Sequence, residues 1–154
     1  MYTADRNSLL VKGADSQLFE AKNLDYPTHP VCCRVYEASV GIDPKDAMYL
    51  KFLRHLGKKH ASIAHTWELF VDEKGDIEIY QEYCANGSLE KFVTDRGLDE
   101  KEISLYAWQL LRGMDFLGDI GISHREIHPK VTLFVNASFG AEEPTVNFIV
   151  PLSQ

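Results

Sequence analysis

The sequence predicts an α+β fold: a five-stranded antiparallel sheet with one helix in the first half, then a helical second half. Three observations carry that expectation. Short β-branched and aromatic runs, each bounded by turn residues, recur up to Tyr83. One segment with helical punctuation, Ile42–Gly57, interrupts them. Beyond Ser88 the strand signal gives way to a long segment with apolar residues three and four apart.

In chain order, LLVKGADSQLFEAKNL (Leu9–Leu24) reads as two strands around a turn at Gly13-Ala14-Asp15-Ser16. HPVCCRVYE (His29–Glu37) is a third strand introduced by Pro30. In Ile42–Gly57, Asp43 is a good N-cap, Pro44 sits where proline is favoured and Gly57 ends the helix. Tyr49, Phe52, Leu53 and Leu56 form its apolar face. HASIAHTWELFVD (His60–Asp72) leads into a fourth strand, and Asp76–Tyr83 is a fifth after the polar turn Glu73–Asp76. Asn86-Gly87-Ser88 turns the chain, with Ser88 capping a short helix. Asp99 opens a longer helix to about Asp119. Its apolar positions Ile103, Tyr106, Ala107, Leu110, Leu111, Met114 and Leu117 cover more than one stripe. GISHREIHPKVTLF then reads as a tight loop between two short strands.

Composition narrows the function classes. The 154 residues, 45% hydrophobic and 25% charged, have the profile of an ordinary globular domain. A net charge of -7 without a Lys/Arg-rich block disfavours nucleic acid and membrane surfaces as partners. No apolar run is long enough to span a bilayer, and the N-terminus lacks a signal layout. Cys32, Cys33 and Cys84 form neither a disulfide framework nor a zinc spacing. They are expected as reduced, half-buried strand thiols of a cytoplasmic protein.

The pieces YQEYCANGSLEKF and HREIHP, with this order of elements around them, resemble the hinge and catalytic loop of eukaryotic protein kinases. The first, followed by Leu98-Asp99-Glu100, is most similar to NIMA-related (Nek) serine/threonine kinases. The resemblance implies one kinase-like domain over 1–154, with an N-lobe at 1–82, a hinge at 83–87 and a partial C-lobe at 88–154. A complete kinase domain needs on the order of 250 residues, so the C-lobe is expected to be incomplete and to stop near the Asp-Phe-Gly position.

The resemblance also assigns roles, and most of the matching positions carry altered residues. The glycine-rich turn that closes over nucleotide phosphates keeps only Gly13. Arg34 stands where the family has its phosphate-binding lysine, and a planar fork does not replace a compact ammonium. The other reading of Arg34 is a strand cation reaching to solvent. Tyr49 falls near the place of the helix glutamate that pairs with that lysine. Gln81 occupies the gatekeeper place, and Glu82, Tyr83 and Cys84 the hinge, whose backbone could still bond an adenine.

In the catalytic loop His124, Arg125 and Pro129 match the family pattern. Glu126 stands for the catalytic Asp, His128 for the phosphate-steadying Lys and Val131 for the metal-binding Asn. Ile149, Val150 and Pro151 take the place of Asp-Phe-Gly, and no Asp follows Glu143. Phosphoryl transfer rests on positioning and charge neutralisation. Losing both metal ligands therefore implies a pseudokinase that works as a protein-binding or regulatory module.

Two rival readings stay open. One is residual serine/threonine kinase activity with Glu126 as base and Arg34 holding nucleotide. The other is a nucleotide sensor that takes ATP without magnesium. The expected partner is another protein, such as an active kinase, or a second copy. A zinc site at His124 and His128 would need a helix, and Pro129 and Gly121 argue for a loop. No metal is expected.

Overall fold

The computed structural model describes residues 1–13, 16–40, 60–84, 86–124, 127–129, 132–135 and 145–148. The predicted helix Ile42–Gly57, with Tyr49, lies outside them. The chain divides into two compact units, one built on residues 1–56 and 65–83, the other on residues 57–64 and 84–151.

The first unit is an antiparallel five-stranded sheet. Its strands are β1 (Tyr2–Lys12), β2 (Gln17–Asn23), β3 (Val31–Tyr36), β4 (Thr66–Val71) and β5 (Ile77–Glu82). Their spatial order is β1-β2-β3-β5-β4. Alternation along the central strands sorts their side chains onto two faces. Phe19, Val31, Cys33, Val35 and Tyr80 form a buried cluster, with Tyr2, Ala4, Ala21 and Trp67 packed against it. Cys32, Ile77, Ile79 and Gln81, of opposite parity, are buried as well. Burial on both faces fits the largely apolar run VCCRVY of β3, while β5, IEIYQE, keeps Glu78 and Glu82.

β1 begins seven residues earlier than the sequence pattern predicts. Tyr2, Thr3 and Ala4 pair with Asn23, Lys22 and Ala21, and pairing resumes at Leu9 opposite Phe19. The bulge between these pairs spoils the alternation by which a strand is recognised. Asp5 Oδ1 accepts the Asn7 N–H inside it. Arg6 from the bulge lies 5.2 Å over the Phe19 ring and reaches Glu78 on β5. Glu78 in turn accepts the Tyr80 hydroxyl at 2.8 Å.

The second unit holds helices α1 (Leu89–Arg96) and α2 (Glu100–Asp119) and the hairpin β6 (Thr132–Val135) with β7 (Thr145–Phe148). Ser88 caps α1 by accepting the Lys91 N–H. Asp99 and Glu102 form a reciprocal capping box at the start of α2. At its far end Gly121 turns left-handed at φ 77, its N–H bonding Gly118 while the Ile122 N–H bonds Leu117. That pairing is a Schellman stop, which glycine makes at no steric cost. Tyr106 is the buried centre, packed by Leu89, Phe92, Leu98, Leu105 and Leu110. The second apolar stripe of α2 is real but uncovered, since Ile103, Trp108, Leu111 and Met114 are exposed.

Two expectations need correction. The three cysteines are buried instead of half-buried and form no disulfide, and Cys84 lies just past β5 and not in a strand. The basic loop is not framed by strands on both sides. Gly121–His124 follows the helix stop directly, and the strand comes only after it, at Thr132.

Candidate nucleotide-binding and catalytic-loop segments

The first unit carries the residues matched to nucleotide binding. In β3, Arg34 faces Leu18 on β2 and Ile79 on β5, while Cys32 faces Glu20 and Gln81. Residues directly opposite share a face, so Arg34, Cys32 and Gln81 lie together on one side of the sheet. Arg34 is half-buried and does not simply reach to solvent. Its Nη1 donates to Ser16 Oγ at 3.2 Å, and its Nε–H is buried without a hydrogen-bond partner among the described residues.

The β1–β2 turn closes on itself. The Gly13 N–H donates to the Ser16 carbonyl at 2.8 Å. A Cβ at Gly13 would stand 3.1 Å from that oxygen, so a larger residue would need the turn to shift by a few tenths of an ångström. Ser16 thus engages both the backbone of the turn and the strand cation. The sequence reading passed over its hydroxyl because a serine in a turn is ordinary and a bond to a residue 18 positions on leaves no local signal. Asp15 lies outside the described residues.

Gln81 is buried, opposite Cys32 on one side and Thr66 on the other. The Cys32 thiol approaches the carbonyls of Gln81 and Glu82 at 3.7 and 3.6 Å. Burial pushes its pKa up to about 12, with the nearby Arg34 charge only partly opposing. Burial also raises the Cys33 thiol to about 12, and the Glu78 carboxylate adds to it. Neither sulfur is a nucleophile at neutral pH. The Glu82 N–H is taken by the His65 carbonyl at 2.8 Å and the Tyr83 N–H by Pro30 at 3.1 Å. Of the expected hinge donors, these two are therefore committed to the sheet.

The second unit carries the catalytic-loop segment. His124 is buried, and Ile127, His128 and Pro129 follow in a bend and turn. The Pro129 carbonyl accepts the Glu90 N–H at 3.1 Å, which ties the loop to the first turn of α1. That bond satisfies one of the donors a helix start leaves open. Ile122–His124 and Ile127–Pro129 lie in no helix, so His124 and His128 do not share a helical face. Arg125, Glu126, Val131 and Ile149–Pro151 lie outside the described residues. Cys84 accepts the Gly87 N–H on its carbonyl at 3.0 Å, closing the Asn86-Gly87 turn in which Gly87 has φ 80.

A two-part chain of this order matches the protein kinase domain over residues 10–139. The chain belongs to the protein kinase family. It is 36% identical over 73 residues to the serine/threonine-protein kinase hal4 of Schizosaccharomyces pombe, 47% of this chain and 12% of that one. It is 28% identical over 125 residues to mitogen-activated protein kinase kinase 8 of Arabidopsis thaliana, 81% of this chain and 38% of that one. Similarity to the Aurora kinase of Encephalitozoon cuniculi is 35% over 78 residues. This kinase-family chain therefore spans between 12% and 38% of these relatives' length. The fold likeness extends to the solved structure of Rad53 1-466 in complex with AMP-PNP. The TM-score there is 0.83 at 18% identity, over 99% of this chain and 38% of that one.

Proposed function

We propose that this protein kinase domain is a Nek-like pseudokinase that acts by binding another protein. The observation that carries the reading is the closed β1–β2 turn. Its one remaining glycine N–H bonds Ser16, and Ser16 also holds Arg34. Of the groups that would cradle a triphosphate, the Gly13 N–H and Arg34 Nη1 are engaged within the protein itself. Sequence adds the absent metal ligands, with Val131 for Asn and Ile149-Val150-Pro151 for Asp-Phe-Gly. YQEYCANGSLEKF supports the Nek-like placement. The lobes and hinge divide at 1–82, 83–87 and 88–154, and three buried thiols that form no disulfide fit a reducing cytoplasm. Exposed Ile103, Trp108, Leu111 and Met114 on α2 supply the apolar surface that a partner or second copy would cover.

One observation favours a second reading, nucleotide sensing without magnesium. Among the described residues the buried Nε–H of Arg34 has no acceptor, which an anion could supply. Thermal shift with ATP, with and without magnesium, tests both. The contact-only reading expects no shift in either condition. A magnesium-independent shift that disappears in Arg34→Met establishes the sensor instead. A magnesium-dependent shift contradicts both.

A further inference from the structure

The turn that precedes β4 is held by one imidazole. The Ile63 N–H bonds the His60 carbonyl at 3.2 Å, and the Ser62 N–H donates to His60 Nδ1 at 3.1 Å. The outer face of the same ring stacks on Phe116 of α2, with centroids 5.3 Å apart and planes 22° from parallel. Ser62, Ile63 and Ala64 are buried. Both contacts therefore run through one side chain, which fastens a buried turn to a helix of the same unit.

We propose that His60 is an acid-sensitive latch joining the His60–Ile63 turn to α2. An imidazole nitrogen accepts a hydrogen bond only while it carries no proton. Protonation at Nδ1 sets two donors against each other and leaves the buried Ser62 N–H without its acceptor, at a cost typical of an orphaned buried amide. Among the described residues the charge acting on the ring is Arg112 of α2, itself 5.0 Å over the Trp108 ring. Asp115, beside Phe116, is exposed and screened by solvent. Burial, and then Arg112, hold His60 below the usual imidazole value of 6.5. The unfolded chain thus takes up the proton first, and the latch is complete above about pH 6.5 and weakens as pH falls. Histidine is the side chain suited to such a change near neutrality.

Amide exchange of the intact chain at pH 7.5 and 5.0, corrected for intrinsic rates, tests the latch. The protection of Ser62 should fall at least tenfold at pH 5.0, while that of Gly97, bonded to Val93 at the end of α1, stays level. In His60→Asn the side-chain oxygen can accept the N–H two residues on, as Asn23 does here from Asp25. Ser62 protection in that variant should change less than twofold. Titration of the His60 ring followed by NMR in the wild-type chain gives a readout that needs no variant. Unchanged protection, an equal loss in His60→Asn, or a ring midpoint at or above 6.5 would overturn the proposal.

Discussion

At the scale of single residues, Arg34 and Cys32 show how burial and a neighbouring hydroxyl set the chemistry of one strand. Arg34 keeps a positive charge on β3, yet its hydrogen bond goes to Ser16. Ser16→Ala should lower stability by about 0.5–1.5 kcal/mol, as loss of one intramolecular hydrogen bond does, and urea unfolding would read it. Cys32 and Cys33 are buried with thiols raised to about 12. Ellman's reagent at pH 8 should leave both untouched in the native chain and label them on unfolding. Because their folded pKa values lie above the ordinary 9.0, the folded state keeps protons that the unfolded chain releases. Stability is full below about pH 9 and drains away toward pH 12. A melting temperature that stays level from pH 8.5 to 11 would contradict this. The placing of Arg34 on the third strand was legible in VCCRV. Its partner was not, because a hydrogen bond across 18 residues leaves no local pattern.

At the scale of elements, the helices were the most legible parts, because their ends are written in capping residues. Asp99 and Gly121 mark the two ends of α2 almost to the residue. Asp99→Ala should cost about 1 kcal/mol through loss of the cap. Arg96→Ala removes an exposed ion pair with Glu102 and a contact with the Phe92 ring, and should lower stability less than Asp99→Ala does. Comparing the two variants by thermal melting separates capping from surface charge. Leu117, on the last turn of α2, is 1% exposed. Leu117→Ala should destabilise by about 2–5 kcal/mol. Strand β1 was half legible. Its second half alternates into the turn at Gly13, whereas its first half is separated by a bulge whose purpose shows only in three dimensions, where Arg6 crosses the sheet to Glu78.

At the scale of the whole molecule, the family was readable because turn residues, caps and apolar runs all pointed to one order of elements, and agreement across levels specifies a fold. The activity is a separate matter, decided by a few side chains whose replacement leaves that order intact. Here the proposed loss of activity rests on the sequence alone, on Val131 and Ile149-Val150-Pro151 at the places where the resemblance expects metal ligands. The most direct test incubates the purified chain with γ-labelled ATP, magnesium and a generic protein substrate, beside Glu126→Ala. The account predicts label at background for both proteins. Transfer by the wild-type chain that Glu126→Ala abolishes would contradict it.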